Sequence, residues 1–337
     1  MKKISYILLI ALLLAACTEE PEYSKYNTAR DNVEALWNII DKKYCFVEEK
    51  NVDWNTLHDE YLGYADTVKT DRQLFTVMAD MLDHLQDGHV NLYSEFDVSR
   101  CRSWYEGYPV NYSESLLYSE RYLGKDYKIA GGIHYDTIAG GKVGLIHYSS
   151  FSSGVGVMNM AWVLGYFQYC DGIIIDMRNN GGGSLEYARS FASSFFSEPR
   201  QVGWWSHKTG EGHFDMSELE PMTIDTTQYK LTRWTKPVVV LCNRKSYSAT
   251  NFFISAMRYA DNCLIIGGKT GGGGGMPLSY ELPCGWMVRF SSVKMCDLEK
   301  NSIEDGINPN KEVTLKSDKY DDIIEAAISA IDNDLRL

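Results

Sequence analysis

Three short segments pair residues capable of chemistry with a backbone free to aim them, and each follows an apolar run. The first, Asp176-Met177-Arg178-Asn179-Asn180-Gly181-Gly182-Gly183-Ser184, comes directly after Ile173-Ile174-Ile175. Successive glycines permit a sharp turn that exposes adjacent N–H groups where a helix begins, which suits an anion or a developing oxyanion. The same residues equally suit a plain flexible strand-to-helix turn. The second, Ser246-Tyr247-Ser248-Ala249-Thr250, follows Val238-Val239-Val240-Leu241-Cys242-Asn243. A serine where a buried strand gives way to a helix lies at the carboxyl edge of a sheet, where open α/β folds bind ligands. Its neighbouring amides lie at the positive end of that helix. Serine is also a common helix cap, so Ser246 and Ser248 carry both readings. The third, Gly267-Gly268-Lys269-Thr270, runs into glycines 271–275. Its order does not match the phosphate loop GxxxxGK[ST]. Five successive glycines point instead to a mobile or closely approached backbone beside a site.

The elements around these segments change character along the chain. From 27 to 86 the apolar period is helical: Val33, Leu36, Trp37 and Ile40 form one stripe, Trp54, Leu57, Tyr61 and Leu62 a second, and Leu74, Val77, Met78, Met81, Leu82 and Leu85 a third. Thr70-Asp71 opens the third as a cap. Residues 93–140 form an aromatic-rich connecting segment with Trp104, Tyr108, Tyr112 and Tyr118, with room for a hairpin but not for another domain. From Val143 strands and helices alternate: strands at 143–148, 172–177, 237–243 and 263–267, helices at 155–167, 185–196 and 252–260. That alternation predicts an α/β sheet covered by helices. A hairpin through 278–280 and 287–290 follows, and an amphipathic helix over 321–335 closes the chain. The division expected is therefore a leader over 1–16, a tether over 17–28, a helical subdomain over 29–92, the connecting segment, and a core with its C-terminal helix over 141–337.

Composition narrows the function. The chain has 337 residues, 45% hydrophobic and 23% charged, with 33 Lys+Arg against 45 Asp+Glu for a net charge of −12. An acidic surface repels phosphate backbones, so a nucleic-acid partner is not expected. Lys2 and Lys3, an apolar run over 4–14 and Leu14-Ala15-Ala16-Cys17 have the layout of a secretory signal. This layout resembles a bacterial lipobox, which would make Cys17 a lipidated first residue, with Thr18-Glu19-Glu20-Pro21-Glu22 as tether. The expected location is the periplasm or the outer membrane and cell surface, with membrane contact only through Cys17. The other cysteines, 45, 101, 170, 242, 263, 284 and 296, are odd in number and contain no CxxC, which argues against a disulfide framework.

Taken in order, the RNNGGG turn, the SxSA turn, the GxxTxGG segment, the Glu281-Leu282-Pro283-Cys284-Gly285 hairpin and the Gly306-Ile307-Asn308-Pro309-Asn310 tail resemble the tail-specific (C-terminal processing) serine peptidases, including the tricorn core. The resemblance covers roughly residues 70–92 and 140–312. It implies an α/β, crotonase-like ββα core with an N-terminal helical subdomain; the 93–140 segment is too short for the complete PDZ domain of the full-length processing proteases. It also implies that Ser248 is the nucleophile of a serine endopeptidase working through an acyl-enzyme. The amide of Ala249, with that of Gly181 or Gly182, takes the oxyanion position. The substrate would be a peptide or protein, and neither cofactor nor metal is implied.

For the base, the resemblance divides. The bacterial processing proteases place a lysine about 25 residues after the serine, where this chain has Gly273; Lys269 lies four residues earlier. The tricorn branch uses a histidine before the core and a glutamate after it, positions matched by His89 in Leu85-Gln86-Asp87-Gly88-His89-Val90 and by Glu304. A neutral imidazole is a suitable general base for serine near pH 7. His89 is thus the expected base, with Glu304 orienting it or binding a polar end of the substrate, and Lys269 and His147 as alternatives. His147 in mid-strand otherwise reads as a structural histidine. A non-catalytic module that holds a peptide or apolar ligand on the same scaffold is the competing function.

Overall fold

The apolar stripes in the first third of the chain become three capped helices. The computed structural model describes residues 27–227 and 229–335. The expected leader, the Cys17 lipidation site and most of the tether lie outside the described residues. Helix α1 (Ala29–Lys43) opens on a capping box between Thr28 and Asp31, α2 (Trp54–Ala65) on Asp53, and α3 (Asp71–Asp83) on Thr70. Their apolar faces share one core with Leu282, Trp286, Val288 and Phe290 of a later hairpin, so the helical start is packed directly against the rest of the molecule.

Strand β1 (Asn91–Tyr93) follows, then a connecting stretch holding the one-turn helix α4 (Glu114–Leu117). The remainder alternates as strand and helix: β2 (Lys128–Ala130), β3 (Ile133–Ile138), β4 (Val143–Tyr148), α5 (Val157–Tyr166), β5 (Gly172–Asp176), α6 (Leu185–Ala192), β6 (Arg200–His207), β7 (Glu220–Ile224), β8 (Val238–Cys242), α7 (Ala249–Met257) and β9 (Cys263–Gly267). The chain ends through β10 (Gly275–Glu281), β11 (Met287–Cys296), β12 (Lys311–Glu312) and α8 (Asp322–Asp332). The alternating α/β expectation matches this order; β6 and β7 lie between 196 and 237, a stretch in which the sequence predicts no strand.

One sheet runs β12-β9-β8-β5-β4-β3-β2, parallel from β12 to β4 and antiparallel from there. Its central strands read as unbroken apolar runs because both faces are covered. Side chains alternate across the sheet: Ile173, Ile175, Val238 and Val240 join the core under α5, α6 and α7, while Ile174, Val239 and Leu241 face α8. A second sheet runs β1-β11-β6-β7, with β10 also on β11. The fold class is α/β with an N-terminal helical subdomain, and no complete PDZ domain occurs among the described residues. The seven cysteines of the described residues are free, five of them buried.

Candidate active site

Strands β5 and β8 are parallel neighbours with Asp176 opposite Leu241, so the turns that follow them leave the same edge of the sheet side by side. Side chains then join the two turns. Asn243 Nδ2 donates to Asn179 Oδ1 at 2.9 Å and Asn179 N–H returns to Asn243 Oδ1 at 3.0 Å. Ser246 Oγ donates to the Met177 carbonyl at 2.8 Å and accepts from Asn243 N–H. Fully buried Asn180 accepts from Tyr247 N–H on its carbonyl and from Thr250 Oγ1 on its side chain. Arg178, also fully buried, bridges Asp176 and Asp321, the residue that caps α8. The asparagines and the arginine of the RNNGGG motif therefore brace the turn. Ser246 does the same, and this resolves its double reading in favour of structure.

Ser248 behaves differently. It stands at the N-cap of α7 with φ 60° and ψ −122°, and its side chain makes no capping bond. A non-glycine residue in that region costs roughly 1–3 kcal/mol and persists only where its surroundings enforce it. Here Ser248 N–H is held by the Gly272 carbonyl at 2.8 Å, and Tyr247 N–H by Asn180. The strained backbone turns the half-buried Ser248 Oγ to His89, whose Nε2 lies 2.9 Å away across 159 residues of sequence. With Nε2 accepting the serine proton, the ring's own proton sits on Nδ1, which has no hydrogen-bond partner among the described residues. Burial depresses the His89 pKa to about 4, opposed by the nearby Asp87 carboxylate, so the imidazole is neutral at pH 7.

Asp87 is the chief residue here to which the sequence assigned no role. Its Oδ1 accepts His89 N–H at 2.7 Å, which pins the residue's backbone, and its Oδ2 accepts the Tyr44 hydroxyl at 2.7 Å. Tyr247 packs its ring 4.8 Å from the imidazole and also reaches Asp87. Gly88 makes room for it, since a Cβ at 88 would meet the Tyr247 hydroxyl at 2.9 Å.

The remaining expected residues separate. Among the oxyanion candidates, Gly182 N–H is donated to Asn180 Oδ1 at 3.0 Å and is not available, which corrects its inclusion. Gly181 and Ala249 N–H have no partner among the described residues. Gly182, next to Gly181, packs closely on the serine turn: a Cβ there would lie 2.9 Å from Ser248 Cβ and 3.0 Å from Ala249 N. Lys269 is exposed and makes no bond to Ser248. His147 lies instead among Tyr112, Tyr118 and His134. Glu304 does not touch His89: its Oε1 accepts from Lys50 Nζ at 3.0 Å and its Oε2 from Gly274 N–H at 2.8 Å. Lys50, absent from the sequence reading, comes from a charged turn after α1 in which nothing distinguishes it from its neighbours.

The glycine run is buried and closely approached. A Cβ at Gly272 would overlap the Glu304 carbonyl, and one at Gly273, where φ is +75°, would sit 2.5 Å from the Tyr247 ring. The ring thus occupies the space that a side chain at position 273 would need. Thr270, bonded to Asn251 Oδ1 and Ile307 N–H, ties this run to the Gly306–Asn310 tail.

Comparison with known proteins follows the same outline. The sequence model described as Peptidase family S41 matches residues 142–313, and that of the Tricorn protease C1 domain matches residues 26–83. A solved structure from Parabacteroides merdae ATCC 43184 is 44% identical, covers 90% of this chain and 97% of its own, and superposes with a TM-score of 0.86. The structure of mature CPAF complexed with lactacystin shares the fold at 13% identity, with a TM-score of 0.68 over 91% of this chain and 97% of that one. Among curated proteins, the Probable CtpA-like serine protease of Staphylococcus epidermidis is 28% identical over 53% of this chain and 35% of its own length. The chain thus spans about a third of the length of the curated relatives it matches.

Proposed function

This chain belongs to peptidase family S41, and from that premise we propose that it is a serine endopeptidase in which His89 activates Ser248. The observation that carries the reading is the 2.9 Å contact between His89 Nε2 and Ser248 Oγ at a serine held in strained backbone. Neutral His89 takes the hydroxyl proton as Ser248 Oγ attacks the scissile carbonyl. The carbonyl oxygen becomes an oxyanion between Gly181 and Ala249 N–H, where loss of one donor typically costs about 10²–10³ in rate. His89 then returns the proton to the leaving amine, and the acyl group remains on Ser248. Water, deprotonated by the same imidazole, releases the product acid. Asp87 favours the transient imidazolium by charge, at close range in a site shielded from solvent.

A fluorophosphonate probe tests this reading directly. Wild type is labelled and Ser248→Ala is not; equal labelling of the two would remove the peptidase assignment. The pH dependence has a definite sign. The base works only when neutral, so labelling and kcat/KM rise with pH through the free-enzyme pKa of His89, with the acid limb near 4 rather than the ordinary 6.5. A limb at 6.5 would mean that the titrating base is not this buried histidine.

The apolar leader and Leu14-Ala15-Ala16-Cys17 support export and lipidation at Cys17, with the protein held at the periplasmic or outer surface of a membrane. Metabolic labelling with a fatty-acid analogue is expected in wild type and lost in Cys17→Ala; retention of the label in the variant would defeat the anchor.

A further inference from the structure

Asn179, two residues before Gly181, also lines a cavity of about 270 Å³ that the reaction described above does not use. Its walls are rings. Tyr112 lies nearly parallel to the His147 imidazole, 6.0 Å between centroids at 24°, and Tyr118 stands edge-on to it at 6.4 Å. His134 is directly opposite His147 in the β3–β4 register, and its Nδ1 is hydrogen-bonded with the Tyr118 hydroxyl at 2.6 Å. Glu114, exposed in the first turn of α4, contributes to the same lining.

The charge behind the rings is unbalanced. Asp176 and Asp321, both fully buried, share the single guanidinium of Arg178, leaving a formal charge of −1. His147 is 6% exposed, its Nδ1 is 3.9 Å from Asp176 Oδ2, and that nitrogen has no hydrogen-bond partner among the described residues. Burial lowers the pKa of both His134 and His147, so neither imidazole supplies a compensating positive charge near pH 7. Arg178 already lies over the Tyr112 ring, 5.5 Å from its centroid, so the attraction for a further cation comes from the buried negative bias and the Glu114 carboxylate, with the remaining ring faces adding to it. An anion would meet repulsion there, and a purely apolar group would leave the buried polar atoms unanswered.

We infer that this cavity is a subsite for a cationic side chain, lysine or arginine, of the polypeptide substrate. Position supports the assignment: Asn179 joins the cavity to the turn that carries the Gly181 amide, and Phe151, two residues past Ser149 of the lining, donates its N–H to the Gly182 carbonyl at 2.9 Å. The substrate class rests on the peptidase reading, whereas cation binding by the cavity does not, and two measurements separate them.

In the first, Ser248→Ala protein is titrated with Nα-acetyl-lysine N-methylamide and with its norleucine, phenylalanine and glutamate counterparts, following the His134 and His147 imidazole signals by NMR. The lysine probe is expected to shift both signals and the others not, and Glu114→Gln, at an exposed position that does not threaten folding, is expected to weaken the lysine probe about fivefold. In the second, wild type is given fluorogenic peptides that differ only by lysine or norleucine at one position. Faster cleavage of the lysine peptide is expected, with the preference reduced in Glu114→Gln and in Tyr118→Leu. Signal shifts by the lysine probe without cleavage of any peptide would keep the subsite and remove the peptidase. Cleavage at equal rates with no shift by the lysine probe would overturn the subsite and leave the peptidase standing. Equal shifts by norleucine or phenylalanine would overturn its cationic character.

Discussion

Ser248→Ala and His89→Gln are each expected to lower kcat for peptide hydrolysis by about 10⁴–10⁶-fold, and the double variant to lose little more than either alone. Non-additivity follows from the geometry. Among the described residues the Ser248 hydroxyl is bonded to one acceptor, His89 Nε2 at 2.9 Å, and Lys269 is exposed and unbonded to Ser248, so no second base there takes over when the imidazole is lost. An imidazole without a hydroxyl, or a hydroxyl without an imidazole, leaves only the Gly181 and Ala249 amides and substrate binding to act. Steady-state kinetics on one fluorogenic peptide check this, with circular dichroism confirming that each variant folds. Ser248→Ala also leaves buried His89 Nε2 without its partner, so a stability loss of about 1–3 kcal/mol is expected beside the loss of activity. Losses that multiply in the double variant would mean that His89 and Ser248 act separately, and the shared proton would have to be abandoned.

Much of this scaffold is legible without coordinates. Apolar runs such as Val238-Val239-Val240-Leu241-Cys242 announce strands buried on both faces, and the period of Leu74, Met78, Met81 and Leu82 announces a helix. Strands β6 and β7 are harder to read: Trp204, Trp205, Pro221 and Met222 lie on a sheet with mixed exposure, β7 pairs only with β6, and the other partner of β6, β11, is some ninety residues away. The site divides along the same line. A serine at the end of a buried strand is a local signal, and His89 is reached through a resemblance. The Gly181–Gly182 distinction depends on where one asparagine oxygen points, which no spacing encodes. Likewise, the glycine run suggested either mobility or close approach, and the choice falls to Tyr247 and Glu304, which fill the space against it. Lys50 is the extreme case. It is one of several charges in Glu48-Glu49-Lys50-Asn51, and only the path of the turn carries it to Glu304, 254 residues on.

That pair joins the helical subdomain to the core beneath the candidate site, and removing half of it should have the largest effect on stability. Lys50 and Glu304 side chains are 8% and 3% exposed. Burial and the Asp87 carboxylate push Glu304 up to about 8, against the pull of the Lys50 ammonium and the Gly274 amide. Folded protein therefore binds a proton that unfolded chain has released between pH 4.5, the ordinary value for this carboxyl, and about 8. Stability contributed by this group falls as pH rises across that window, by about 1.4 kcal/mol per unit, and levels off once both states are ionised. In Lys50→Met the ammonium is gone and the folded pKa moves higher still, so the decline continues past pH 8 where wild type has flattened. The difference in unfolding free energy, measured by urea titration, should thus be smallest near pH 6–7. It should widen through pH 9, approaching the about 3–5 kcal/mol of a broken buried pair. Lys50→Met/Glu304→Gln removes the carboxyl as well, so it should recover most of the loss at pH 9 and abolish the widening. Parallel curves for wild type and Lys50→Met from pH 6 to 9 would show that Glu304 does not lean on this lysine, and the ion pair would lose its role in clamping the two halves of the molecule together.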